Sequence, residues 1–167
     1  MAHLTITAAA LIPAPATCVF ALIADYHDGH QRILPKPPLV SLDVEQGGTG
    51  AGTRIHVTMH VLGQRQTFHG VVTEPEPGRT LVETNDNNTV TTFTVQPRND
   101  GHHSYVTITT VLPVRSGLIG VAQRWLATVL LRPSYRKELA NLAVVAAQVR
   151  ATPSADSRLG RRHTSST

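Results

Sequence analysis

Along this 167-residue chain the spacing of apolar and polar positions changes period several times, and those changes lay out a fold. His3 to Ile12 is rich in Thr, Ile and Leu and predicts a strand, ended by Pro13-Ala14-Pro15. Proline suits a first helical turn, where its missing N–H has no partner to lose. A helix is therefore expected from about Pro15 to Ala24, with Val19, Phe20 and Ile23 on one face. Asp25 to Ile33 is polar and allows one or two short helical turns before Pro35-Lys36-Pro37-Pro38 stops any helix. Leu39 to Glu45 reads as a second strand, and Gly47 to Gly52 as a flexible turn. In Arg54 to Leu62 the period is two: Ile55, Val57, Met59 and Val61 alternate with Arg54, His56, Thr58 and His60.

Two hairpins can be tested against their own registers. A two-residue turn at Gly63-Gln64 sets Met59 opposite Phe68, Val57 opposite Gly70 and Ile55 opposite Val72. The other face then pairs His60 with Thr67 and Thr58 with His69, and a slip of one residue destroys the agreement. Closing a second hairpin at Asp100-Gly101 pairs Val95 with Val106 and Phe93 with Ile108, leaving Thr94 with Thr107 and Thr92 with Thr109 on the far side. Each hairpin has one apolar face, as a half-buried antiparallel sheet requires. Between them Glu74 to Gly78 is a turn and Arg79 to Thr84 a short strand, whose register leaves open the face that Glu83 takes.

The last element is long. From Gly117 to Val149, Val121, Ala122, Trp125, Leu126 and Val129 fall at helical spacing, as do Tyr135, Leu139, Leu142, Ala146 and Val149. Pro133 is expected to kink or break this helix near Val129. Residues 1–150 thus read as one domain. Residues 151–167, dominated by Ser, Thr, Arg, Pro and Gly, read as a disordered tail.

The order of strand, helix pair, six strands and long helix resembles the START-like, or Bet v 1-like (SRPBCC), helix-grip superfamily, and within it the polyketide cyclase/dehydrase and lipid transport group. Four segments carry the likeness: Pro13 to Phe20 at the first helix start, Ile23 to Tyr26 with Ile33-Leu34-Pro35 at the helical corner, Gly47 to Thr53 before the third strand, and Glu74 to Arg79 before the fifth. It covers roughly Leu4 to Val149, and all of its motifs are structural, so it speaks to fold before activity. The resemblance implies an α+β helix-grip fold. In it a curved antiparallel sheet of about seven strands wraps a long C-terminal helix, two short helices follow the first strand, and a cavity for a hydrophobic ligand lies between sheet and helix.

Composition narrows the function. The single cysteine, Cys18, excludes an intrachain disulfide, and no secretion signal or long apolar run is recognisable, so a cytoplasmic protein without stable membrane insertion is expected. Arg greatly outnumbers Lys and Ala is abundant, as in proteins of GC-rich bacterial genomes. The formal charge is +4, but three arginines against one aspartate sit in the tail, so the body is only weakly basic. Its arginines are scattered and aromatics are few, which speaks against nucleic acid as a partner.

Candidate chemistry is sparse. His56 and His60 are four apart on a strand, too far to share an ion. His27 and His30 could share a helical face, and Asp25 or Asp28 could join them, but no Cys or further His completes a familiar set, so neither metal nor cofactor is expected. Gly48-x-Gly50-x-Gly52 lies between strands, without the helix start that a phosphate loop uses. Cys18 has no identifiable base. The sheet face of Ile55, Val57, Met59, Phe68, Val72, Phe93, Val95, Val106 and Ile108, with Trp125, Leu126 and Val129 from the helix, is expected to line the cavity. Gln66, Thr91 and Thr110 point inward by the same registers and can orient a ligand or satisfy one another. The first functional expectation is binding of a lipid, isoprenoid or polyketide-like molecule. The second is a cyclase or dehydratase, for which Glu83, His27 and Tyr135 are the titratable candidates. The third is a protein-interaction module, which calls for a large exposed apolar patch. Composition does not set the oligomeric state.

Overall fold

A computed structural model of the chain describes residues 2–152. Strand β1 (Ala2–Ile12) leads into α1 (Ala16–Ala24) and the short α2 (Gly29–Ile33). Six strands follow: β2 (Leu39–Gln46), β3 (Arg54–Val61), β4 (Gln64–Glu76), β5 (Thr80–Asn85), β6 (Val90–Arg98) and β7 (His103–Val114). Helix α3 (Gly117–Ala151) closes the fold. All seven strands form one antiparallel sheet in the order β1-β7-β6-β5-β4-β3-β2. The two helices after β1 carry the chain from one sheet edge to the other, and α3 lies in the concavity. This is the helix-grip fold. Residues 153–167, most of the expected disordered tail, lie outside the described residues.

The core forms where α1, α2 and the C-terminal half of α3 meet the sheet. Val19, Phe20, Ile23 and Ile33 pack there with Leu81, Phe93, Val95, Val106 and Ile108, and with Leu139, Leu142 and Ala146 of α3. The N-terminal half of α3 is different. Among the described residues of that half only Gly120 is buried; the carbonyl of Arg115 lies where a Cβ would sit. Leu118, Val121, Trp125 and Val129, spaced three or four apart, form an exposed apolar ridge.

Helix α3 runs unbroken through Pro133, so the expected break near Val129 does not occur. The proline's missing N–H leaves one carbonyl, that of Val129, without its helical partner, and Val129 sits on the exposed side, where water can take the bond. Nearby, Ser134 Oγ donates to the Leu130 carbonyl at 3.1 Å.

The β6–β7 hairpin has the expected register, with Phe93 opposite Ile108 and Val95 opposite Val106. Asp100 and Gly101 both take positive φ, as that turn needs. The β3–β4 hairpin is shifted by two residues from the expected one. Its turn is Leu62-Gly63, both at positive φ, and the pairs are Ile55 with Gly70, Val57 with Phe68 and Met59 with Gln66. A shift of two keeps every side chain on its face while changing its partner. It brings His56 opposite His69, and the rings stack at 4.8 Å on the outer surface, where His69 Nδ1 lies 3.1 Å from Glu45. The absent side chain of Gly70 leaves room that Ile55 and Asn85 fill.

The Gly47–Gly52 segment is a fastened turn rather than a flexible one. Tyr26 N–H donates to the Gly48 carbonyl at 2.9 Å, Gly50 N–H to Ala24 at 2.9 Å and Gly52 N–H to Val72 at 2.9 Å. His27 lies against Gly48 so closely that any Cβ there would run into its imidazole.

Candidate ligand cavity

Between the sheet and the N-terminal half of α3 lies a cavity of about 690 Å³, within the range of small-molecule sites. Its walls are mainly apolar. Leu42, Ile55, Val57, Met59, Phe68 and Phe93 come from the sheet, Leu126, Ala127, Leu130 and Leu131 from α3, and Leu34, Pro35 and Pro38 from the corner after α2. Exposed lining residues, Leu62 at the β3–β4 turn and Leu130 on α3, mark its mouth. Leu34, Pro35 and Pro38 of the corner after α2 border the cavity, whereas the Gly47–Gly52 turn does not.

The expected wall is placed as follows. Ile55, Val57, Met59, Gln66, Phe68, Thr91, Phe93, Thr110 and Leu126 line the cavity. Val72, Val95, Val106 and Ile108 do not; they share the sheet face but lie under the α1–α3 core, each at most 1% exposed. Trp125 and Val129 do not either, because the helix turns them outward, to 68% and 48% exposure.

Polar groups gather against this apolar wall. Thr91 and Thr110 hydroxyls are 2.9 Å apart, and Thr110 Oγ1 is 2.6 Å from the Tyr135 hydroxyl, so the two inward threonines satisfy each other and anchor the helix tyrosine. Pairing of β5 with β6 places Leu81 opposite Phe93 and Glu83 opposite Thr91, which answers the open question: Glu83 faces inward. Its Oε1 accepts from the Tyr26 hydroxyl at 2.6 Å. The ring of His30 stacks on Tyr26 at 4.5 Å and brings Nε2 within 3.4 Å of the same oxygen. His30 Nδ1 is 2.7 Å from the Ile23 carbonyl. A carbonyl only accepts, so Nδ1 carries a proton, and only the doubly protonated ring also offers Glu83 an N–H.

Glu138 of α3 completes the group. It is 4% exposed, its Oε1 has no hydrogen-bond partner, and it lines the same cavity as Glu83. Burial, and then the negative charge of Glu83, push its pKa up to about 8, so at neutral pH it is mostly the uncharged acid. Burial likewise pushes Tyr135 up to about 12, against the lowering effect of its Thr110 hydrogen bond, and raises Tyr26 well above the usual phenol value. Both phenols are therefore hydroxyl donors across the physiological range. Among the described residues no lysine or arginine lines the cavity.

His27 is not in this group. Its Nε2 lies 3.3 Å from the Gly47 carbonyl, on the far side of the corner. The His27–His30 pair considered for a metal is thereby split.

The profile of the polyketide cyclase/dehydrase and lipid transport family matches residues 3–147. The chain belongs to this family. Several solved structures share the fold of this polyketide cyclase/dehydrase and lipid transport domain. The solution structure of KanY protein is 26% identical, covers 88% of this chain and 99% of its own, and superposes with a TM-score of 0.75. The Zhui aromatase/cyclase from a Streptomyces species is 15% identical over 90% of this chain and 98% of its own, with a TM-score of 0.74. A START superfamily protein from Mycobacterium smegmatis is 14% identical over 89% and 99%, with a TM-score of 0.66. No curated protein matches the chain. No described helix is long and apolar enough to cross a membrane.

Sequence reasoning assigned no cavity role to three members of this family domain's polar cluster. Glu138 was readable: it lies three residues after Tyr135 and four before Leu142, inside the apolar stripe, where a carboxylate is out of place. Tyr26 and His30 carried no such mark, since only the fold of the α1–α2 corner turns them toward Glu83.

Proposed function

We propose that this domain binds an apolar small molecule of lipid, isoprenoid or polyketide type, with its oxygen- or nitrogen-bearing end directed to the Glu83–Glu138–Tyr135 wall. The observation that carries the reading is the cavity itself: about 690 Å³, with mainly apolar walls and with Glu83, Glu138 and Tyr135 among its polar lining. Burial of a ligand's apolar surface there contributes about 25 cal/mol per Å², and the cluster orients it. Native mass spectrometry of the freshly purified protein, followed by titration with the neutral fluorescent probe N-phenyl-1-naphthylamine, tests it. A co-purifying small molecule or saturable probe binding supports the reading; the absence of both overturns it.

A second reading, cyclase or dehydratase chemistry, is favoured by one observation: two carboxyl groups on one cavity, with Glu138 raised to about 8 while Glu83 accepts from Tyr26. Such a pair can act as base and acid. Glu83 would take a proton from the carbon beside a ketone, and Glu138 would give its proton to the β-hydroxyl as the C–O bond breaks. The products are an enone and water. Release of enone from a β-hydroxy ketone, lost in both Glu83→Gln and Glu138→Gln, would support this chemistry; no turnover by the wild-type protein would remove it.

A further inference from the structure

The charge of the cavity wall selects among apolar ligands. Two carboxyl groups line it, and among the described residues no lysine or arginine does. Glu83 has local partners in Tyr26 and His30. Glu138 is buried yet has an oxygen that meets no donor. A buried acceptor left unpaired costs about 1–3 kcal/mol, and a ligand that brings a donor recovers it. A fatty-acid carboxylate brings no donor and adds negative charge beside Glu83. We propose that the ligand is an apolar amine, bound with its ammonium group between Glu138 and Glu83 and its hydrocarbon body along the Phe68–Phe93 and Leu126–Leu130 walls. This inference rests on the ligand-binding reading above.

The surroundings fit an ammonium. Its three N–H groups need acceptors: Glu138 Oε1 is free, and the Tyr135 hydroxyl oxygen and the Glu83 carboxylate lie on the same wall. The titratable groups lining the cavity with Glu138 are Glu83 from β5, His30 from α2, His60 from β3 and Tyr135 from its own helix, with Tyr26 behind Glu83. Of these only the two histidines can bring a positive charge; His30 is already directed at Glu83, and His60 is exposed.

Proton balance gives the inference a distinctive signature. In the free protein Glu138 holds its proton up to about pH 8. An alkylamine is already cationic there, with a pKa near that of lysine, about 10.4. Forming the ammonium–carboxylate pair at pH 7 therefore expels the Glu138 proton to the buffer, nearly one per ligand bound. Because that proton must leave first, amine affinity should rise by up to about tenfold per pH unit between pH 6 and 8 and then level off.

The test uses decylamine, decanol and decanoate, each competing against N-phenyl-1-naphthylamine on the full chain, with calorimetry of decylamine in buffers of different ionisation enthalpy. Decylamine should outcompete the other two by at least about tenfold at pH 8, release close to one proton at pH 7, and lose its advantage over decanol in Glu138→Gln. The amine-to-alcohol ratio within one variant is insensitive to general loss of affinity, and Glu83→Gln gives a second reading of it. Probe binding with decanoate or decanol as strong as decylamine overturns the amine site while the cavity reading stands. So does an amine preference that survives both substitutions, or decylamine binding without proton release. No saturable probe binding together with no heat from decylamine overturns both.

Discussion

The hydroxyl of Tyr26 donates to Glu83 Oε1 at 2.6 Å, joining the link between α1 and α2 to the central strand of the sheet. The contact is charge-assisted and part-buried, and the neighbouring His30 ring is stacked onto its donor. Removing the hydroxyl with Tyr26→Phe leaves a carboxylate short of a partner, at a cost of about 1.5–3 kcal/mol. Urea denaturation of the two proteins at pH 7 measures it; a difference under about 0.5 kcal/mol would mean that the carboxylate finds another donor.

Glu138 makes stability fall as pH rises. Its folded pKa of about 8 lies above its ordinary value of 4.5, so between these pH values the folded state holds a proton that the unfolded chain has lost. The stabilisation is complete below about pH 4.5 and is lost progressively up to about pH 8. Glu138→Gln, which cannot ionise, should flatten this slope and become the more stable protein by roughly 2–4 kcal/mol near pH 9. Midpoints of guanidinium unfolding from pH 5 to 9 give both slopes, and parallel curves would refute the assignment.

Gly48 sits at φ +124° with the His27 imidazole filling the space that a side chain would need. Gly48→Ala should cost about 2–4 kcal/mol, from backbone strain and from collision. Adding His27→Ala relieves the collision and leaves the strain, so the double variant should recover part of the loss. Thermal unfolding of the two single variants and the double closes the cycle, and strict additivity would show that the two residues do not meet.

Phe68 packs its ring at the cavity wall opposite Val57 and is only partly buried. Phe68→Trp should fill ligand space while barely straining the core. A loss of at least about fivefold in probe affinity is expected, about 1 kcal/mol, with stability changed by less than about 1 kcal/mol. Fluorescence titration with a parallel melt separates the two effects; unchanged affinity would place the probe elsewhere.

Much of this architecture was legible in the sequence because alternation and turn chemistry agreed. Asp100-Gly101 supplied positive φ where the β6–β7 turn needed it, and the pairs of Val95 with Val106 and Phe93 with Ile108 followed. The β3–β4 hairpin shows where that logic stops. Turn preference favours glycine first, yet Leu62 takes the left-handed position at φ 52°. Registers two apart present the same faces, so alternation cannot choose between them. The choice falls to neighbours on either side, such as Gly70 fitting beside Ile55 and Asn85. The cavity was harder still. Val95 and Phe93 are alike in pattern, but one lies under α1 and the other reaches the cavity. Which stretch of wall a helix covers depends on where the helix crosses, and spacing along a single chain does not carry that.

Helix α3 is held at one end. Leu139, Leu142, Val145 and Ala146 are sunk in the core, while the segment from Leu118 to Leu131 has the cavity on one side and solvent on the other. Mechanically it is a cantilever: the clamp bears the folding energy and the free arm sets the volume beneath it. The apolar cavity wall and the core contacts therefore lie largely on separate stretches of one helix, with Tyr135 and Glu138 at their junction. The arm can be resized for a longer or bulkier guest without touching the clamp, a division that lets one scaffold diversify its cargo at little cost to folding.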